Sequence, residues 1–376
     1  MMGCSTWLSK LGALSFMAHR RQAGAVALAV AVVFSAVLGA QRKDDKKQDE
    51  GQRKELAAVQ KLADDLGTGA TPAPNDLGLS WLHEDFIKAQ SNKEYVPFIV
   101  SIDPSKVPGG RMTLYWRVVS KDAPAMGTAL PAGKKDDKSK DKDKDKNAKP
   151  EYAWEDVGYD VPLPAASPGA TGPVRIARAF SVPAGSYDVY IVAKEPTSAQ
   201  KGAPAPKASA LKQTITVPDF WNGELNTSTV MVAQRMDPLP APLTPQQQTD
   251  RPYALGQMEL VLQLEMKFGK KAELQPVFFV YNPKLDTANK PDIIIEYNFY
   301  SKTGGVEKVF NHTSPQNYNA QTLPQFDAAA GHQIPGGLAV PLTSFPEGDY
   351  RLEIKITDNI SKKTVTRDVN FTVTAS

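Results

Sequence analysis

Pro346-Glu-Gly348-Asp-Tyr350-Arg-Leu-Glu-Ile-Lys-Ile-Thr357 is the stretch on which the fold turns. Tyr350, Leu352, Ile354 and Ile356 alternate with Arg351, Glu353, Lys355 and Thr357. An alternation of period two marks a strand with one face in a core and the other in water. A Pro-x-Gly turn that delivers a tyrosine into such a strand is the sequence form of a β-sandwich corner, where the phenol OH bonds back to the loop backbone. An earlier near copy reads Pro183-Ala-Gly185-Ser-Tyr187, followed by Asp188-Val-Tyr-Ile-Val-Ala-Lys194. Two copies predict an all-β chain of two tandem immunoglobulin-like β-sandwiches.

Outward from these corners, the N-terminal segment reads as a leader rather than as fold. Arg20 and Arg21 precede an apolar Ala/Val/Leu run from Ala23 to Ala40, and the small residues Gly39 and Ala40 end it before Gln41-Arg-Lys-Asp-Asp45. That order predicts a signal peptide over residues 1–40, with Met17 fitting as initiator and residues 1–16 as a start-site extension. The alternative is an uncleaved inner-membrane anchor over residues 23–40, since about eighteen apolar residues just span a bilayer. Richness in Ala and Gly rather than Leu and Phe favours cleavage. The single cysteine is Cys4, so an exported chain would have no disulfide and would rely on core size. Lys10, Arg20 and Arg21 account for the whole net charge of +3. The remaining chain is formally neutral, which gives no reason to expect nucleic acid or an anionic membrane surface as partner.

Residues 41–76 read as a charged tether. The mixed charges of 41–53 predict a solvated segment, and Leu56, Val59, Ala63 and Leu66 then share one helical face, with Gly67 as the expected stop. The first sandwich is expected over 77–218. Its strands are interrupted by the Lys/Asp tract 134–149, which has nothing to bury and reads as a disordered insertion. The second is expected over 219–376, after a junction and a proline-rich crossing at 237–252 without regular structure. The intervals Phe98 to Tyr115 and Phe279 to Tyr297 are nearly equal, which suggests duplication.

The chemistry-bearing motifs are all incomplete. His83-Glu84-Asp-Phe-Ile87 begins like a helical zinc motif, but Ile87 stands where the second histidine is required. Asp141-Lys-Asp-Lys-Asp145 imitates a calcium loop, yet Lys146 replaces the turn glycine and Tyr152 the bidentate glutamate. His312 and His332 flank Asp327, a set that would need to converge in space to hold zinc. No Gly-x-Ser-x-Gly, Walker or dinucleotide motif occurs. Adjacent acids such as Glu84-Asp85 and Glu155-Asp156 keep a hydrolase of unknown type as one alternative. No catalytic, metal or cofactor residues are assigned.

Binding surfaces are the better expectation. Trp154, close to Tyr152 and Tyr159, and the pair Phe220-Trp221 lie near turns, where aromatics stack on sugars or anchor partners; core packing is the competing reading. The connection Thr313–Gly337 is long and rich in amides, Gln316 and Asn317 among them, with His312 and His332 near its ends.

Tyr95-Val-Pro-Phe98, Val217-Pro-Asp-Phe-Trp-Asn222, Arg251-Pro-Tyr253, Pro315-Gln316, Thr322-Leu-Pro324 and Phe345-Pro-Glu-Gly-Asp-Tyr350 resemble segments of exported, functionally uncharacterised proteins of soil bacteria. The last hundred or so residues are similar to the C-terminal sandwich of GWxTD-domain proteins, although the Gly-Trp-x-Thr-Asp motif is absent. The resemblance implies export and β-sandwiches, and no catalytic residues. The expectation is an exported, non-enzymatic binding or structural module of the periplasm or cell surface, with an envelope protein or polysaccharide as partner. Membrane contact would come only through an uncleaved leader, and no cofactor is expected. A carbohydrate-binding accessory is the alternative, which requires the turn aromatics to be exposed.

Overall fold

The computed structural model describes residues 38–122, 152–164, 172–198, 200 and 202–375. The expected leader up to Val37 and the Lys/Asp tract 134–149 lie outside the described residues. The fold is an all-β sandwich fold built from antiparallel sheets. The chain divides into two compact units, one holding Gln52–Asn222 and Leu243–Pro252, the other Gly223–Pro242 and Tyr253–Ser376.

In the first unit, β1 (Ser80–Glu84), β2 (Ile87–Lys88), β3 (Glu94–Ile102) and β6 (Val174–Val182) form one sheet; β4 (Arg111–Ser120), β5 (Trp154–Pro162), β7 (Gly185–Lys194) and β8 (Ala208–Val217) form the other in the order β5-β4-β7-β8. Phe98 and Val100 of β3 and Phe180 of β6 meet Leu114, Trp116 and Val118 of β4 and Ile191 of β7 in one buried core. Both sheets therefore bury one face against each other, as the period-two pattern requires.

A helix covers the outer face of the second sheet. α1 runs Leu38–Thr68, so residues 41–53 are helical rather than an unstructured solvated segment; Lys, Arg, Gln and Glu dominate there and are good helix formers. Val59 and Ala63 are fully buried against Tyr115, Tyr190, Val192 and Ala210. Polar contacts frame this apolar patch: Lys194 to Glu55 at 2.6 Å, Arg117 to Asp64 at 2.5 Å, and Gln60 to Glu155 at 2.7 Å. Gly67 does not end the helix. It lies inside, where a Cβ would stand 3.5 Å from the Tyr190 ring, and Gly69 at φ +68° makes the stop, its N–H bonding back to Leu66.

The second unit is larger in strand count. Its first sheet holds β9 (Asn226–Thr227), β10 (Met231–Pro238), β11 (Ala254–Leu255), β12 (Met258–Leu262), β14 (Glu273–Tyr281), β18 (Ile334–Gly337) and β19 (Val340–Pro341), centred on β10 and β14. Its second holds β13 (Lys267–Gly269), β15 (Ile293–Thr303), β16 (Val306–His312), β17 (Gln316–Tyr318), β20 (Gly348–Asp358) and β21 (Thr364–Thr374), ordered β13-β21-β20-β15-β16 with β17 beside β15. Leu274, Phe278 and Val280 face Ile295, Tyr297, Phe299, Leu352, Ile354 and Phe371 across the core.

The two corners have the same construction. Tyr187 donates its OH to the Pro183 carbonyl at 2.9 Å, and Tyr350 donates to Pro346 at 2.8 Å. Both rings are buried. Tyr187 stands opposite Ser120 and Ile215, while Tyr350 stands opposite Ser301 and Phe371. Gly185 and Gly348 take φ of 152° and 146°, a region that penalises a side chain.

Other expectations need correction. Counting back from the corner serines, the residue matching Tyr297 is Trp116, which faces the core; Tyr115 points to α1 instead. On β14, Phe278 is the fully buried phenylalanine and Phe279 is not. The proline-rich crossing contains a helix, α2 (Pro245–Asp250), opened by a capping box in which Thr244 and Gln247 bond reciprocally. Residues 243–252 group with the first unit, where Asp250 pairs with Arg178 at 3.0 Å and Tyr95 donates to the Pro252 carbonyl.

Candidate functional site

Phe220 and Trp221 leave β8 through a bend and separate in environment. Phe220 is buried, while Trp221 is 39% exposed. The Trp221 indole N–H donates to the Lys93 carbonyl at 3.1 Å, and its backbone N–H donates to Asp219 at 2.7 Å. The Lys88 ammonium lies 4.2 Å from the ring centre, a cation–π contact. Beneath them Glu94, the first residue of β3 and the cross-strand neighbour of Lys88, is completely buried. Its Oε1 accepts the Phe220 N–H at 3.0 Å, and its Oε2 has no hydrogen-bond partner among the described residues. Burial pushes the Glu94 carboxyl above its ordinary range, against the pull of the Phe220 N–H; Asp219 adds to the rise and Lys88 opposes it. Burial likewise lowers Lys88, against the attraction of Glu94 and Asp219.

Trp154 is half-buried and packs on the first core. Of the three turn aromatics only Trp221 presents a substantial surface, so a stacking platform of several rings is not assembled from them.

The long connection 313–337 is held by its own polar interior. Gln316 is a hub: its Oε1 accepts from Tyr297 and Tyr318, each at 3.1 Å, and its Nε2 donates to the Gly337 carbonyl. Tyr318, Phe326 and Ile334 reach the core, and Lys290 donates to the Pro324 and Phe326 carbonyls. Gln316 thus serves two buried phenols that need an acceptor. Asn317 is exposed and lines a shallow hollow of about 420 Å³ with Ile294, Glu296, Pro315, Lys355 and Thr357. His312 is exposed at the end of β16, and its backbone N–H bonds the Asn311 side chain. His332 accepts the Asp327 N–H on Nδ1 within a tight turn. Among the described residues, no group of three or more His, Cys, Asp or Glu side chains comes together to hold a metal ion.

Three features escaped the sequence reading. β16 forms one edge of its sheet, pairs only with β15 among the described residues, and exposes Val306 and Val309 at 58% and 72%. In the abortive zinc motif, His83 Nε2 lies 2.9 Å from the buried carboxylate of Asp85. Burial alone would lower this imidazole, but the bond and charge of Asp85, with Glu84, raise it above 6.5. The third is Glu94. The β16 edge and the state of Glu94 depend on which segments pair, which short-range patterns do not carry; the His83–Asp85 contact is local, and only the burial of Asp85 comes from the rest of the fold.

No protein-family model matches the chain, and no curated protein matches it. Among the described residues no helix is long and apolar enough to cross a membrane.

Proposed function

We propose that the chain is an exported, non-enzymatic binding or structural module of the cell envelope, working in the periplasm or at the cell surface. The observation that carries this reading is the edge of β16, which has no strand beyond it among the described residues, with Val306 and Val309 in water. An unpaired edge strand is a template on which an extended partner can add, with side chains such as these setting preference. The Arg-Arg, apolar and small-residue order of residues 20–40 supports export, as does the resemblance to exported proteins of soil bacteria and to the C-terminal sandwich of GWxTD-domain proteins. Duplication of one immunoglobulin-like sandwich accounts for the shared corner register of Tyr187 and Tyr350.

The test places a photo-crosslinking amino acid at Val309, with a control at exposed Thr216, in cells expressing the full chain. Adducts with one envelope protein from Val309 but not from Thr216 support the reading. No adduct, or the same adducts from both positions, overturns edge binding. Mass spectrometry of the same material should find an N-terminus near Gln41, whereas an intact Ala23–Ala40 segment in the membrane fraction would replace the leader with an anchor.

A carbohydrate-binding accessory is the second reading, favoured by the exposure of Trp221 alone. In that case Trp221→Ala abolishes retardation of the protein in gels containing cell-wall polysaccharide. Equal migration of both proteins discards it.

A further inference from the structure

We propose that Glu94 is a proton-operated latch for the segment Asp219–Trp221: with a proton bound it holds the segment closed against the start of β3, and on ionisation it loosens it. The geometry carries the idea. Glu94 is fully buried, yet among the described residues only one of its two oxygens has a hydrogen-bond donor, the Phe220 N–H. A buried ionised carboxylate normally gathers several donors, because a charge taken out of water must be compensated. This one has a single amide, on the segment it would hold.

The charged groups facing Glu94 sharpen the imbalance. On β2, Lys88 favours the ionised form, but its ammonium is itself half-buried and sits over the Trp221 ring. On the latched segment, Asp219 disfavours it, and Asp219 is engaged in capping the Trp221 N–H. On β6, the residue opposite Glu94 is Val182, which offers no charge. Protonation removes the repulsion with Asp219 and leaves one carboxyl oxygen free to accept the Phe220 N–H. Opening the segment lets water reach Glu94, whose proton affinity then returns to the ordinary value near 4.5.

The sign follows from linkage. The closed form binds its proton more tightly than the opened form, so closure is fully supported below 4.5 and weakens as pH rises through the raised value of the closed state. A single proton limits the slope to about tenfold in the opening constant per pH unit within that window. Above it the curve is flat.

Hydrogen exchange at the Phe220 and Trp221 amides of the full chain, corrected for the intrinsic pH dependence of exchange, reads this directly. Wild-type protection should fall across the window and then level. Glu94→Gln keeps an oxygen acceptor for Phe220 but cannot titrate, so its corrected protection should not change over the same range. Lys88→Met removes the charge that favours ionisation in the closed state, so the fall should still begin near 4.5 but should level off at a higher pH than in wild type. His83 titrates in the same unit, but its contribution is common to wild type and Glu94→Gln and cancels in their difference. Identical pH profiles for wild type and Glu94→Gln overturn the proposal. So does a fall that levels off at lower pH in Lys88→Met than in wild type. Should Glu94→Gln fail to fold, the direction in which Lys88→Met moves the levelling decides alone.

Discussion

Replacing Tyr350 by phenylalanine removes a single oxygen from the second corner, and the cost can be worked from its surroundings. The Tyr350 ring is 3% exposed and its OH donates to the Pro346 carbonyl at 2.8 Å. Losing that bond while leaving the carbonyl in place should cost roughly 1–2 kcal/mol. Alanine removes the ring as well. Phe310, Phe345 and Phe371 surround it with centroids 5.3, 5.2 and 5.4 Å away, so Tyr350→Ala should cost roughly 3–5 kcal/mol through the cavity left among them. Pairs of this kind add about 0.5–1.5 kcal/mol each beyond area, which places alanine toward the upper end. Urea unfolding followed by peptide-resolved hydrogen exchange measures this unit by unit. With slopes of about 1–3 kcal/mol per molar urea, the alanine variant should shift the midpoint of the second unit by roughly 1 M or more. Peptides from the first unit should keep their wild-type midpoint, and Tyr187 variants should reverse the pattern. If both Tyr350 variants unfold at the wild-type midpoint, or if the first unit loses protection instead, the corner does not hold its sandwich and the reasoning fails.

Ala63 is fully buried between α1 and the Tyr190 surface, so Ala63→Leu should overpack the contact and destabilise the first unit by roughly 1–3 kcal/mol, seen as a lower midpoint in its peptides. His83 has a folded-state pKa above 6.5 because of Asp85 and Glu84, despite its burial. Its stabilisation is therefore complete below 6.5 and is lost as pH rises through the raised value, and His83→Asn should flatten that part of the stability–pH curve. Asp358 behaves oppositely. Burial would raise its carboxyl, but bonds from the Lys284, Ile360 and Ser361 N–H groups and the Ser361 OH hold it below 3.8. Its contribution is present above 3.8 and is lost as pH falls through the depressed value. Asp358→Ala should cost at least roughly 1.5–3 kcal/mol, the worth of one hydrogen bond to a charged group, by denaturant titration at neutral pH.

The corners were legible because all their determinants are local. A proline sets the entry, a glycine permits the positive φ, and the tyrosine starts an alternating strand, all within five residues. The capping box at Thr244 and Gln247 was equally local, but the prolines around it argued more loudly for an extended crossing, and the short helix α2 was missed. The apolar face of α1 could be read from its spacing. Its true stop could not, because Gly67 and Gly69 carry the same conformational freedom; in the fold Gly67 lies against the Tyr190 ring and Gly69 takes the positive φ.

The candidate site shows where local reading stops. Gln316 belongs to an amide-rich loop and looked like a surface reader, yet two buried phenols on β15 and β17 converge on its carbonyl oxygen, a fact of register. In the sequence, Glu94 is a single acid between Lys93 and Tyr95. Pairing with Lys88 and capture of the Phe220 N–H, far along the chain, turn it into a buried carboxylate with one donor. Val309 sits in an unremarkable Glu-Lys-Val-Phe run, and it faces water because it pairs with Tyr300, on the face of β15 turned away from the core residues Tyr297 and Phe299. In each case the residue type was visible and its state was not, because burial, charge and edge position come from contacts between distant segments. Sandwiches make this separation acute. Their strands share one simple pattern, and what distinguishes an edge from a centre, or a hub from a rim, is the order of pairing, which that pattern leaves unspecified.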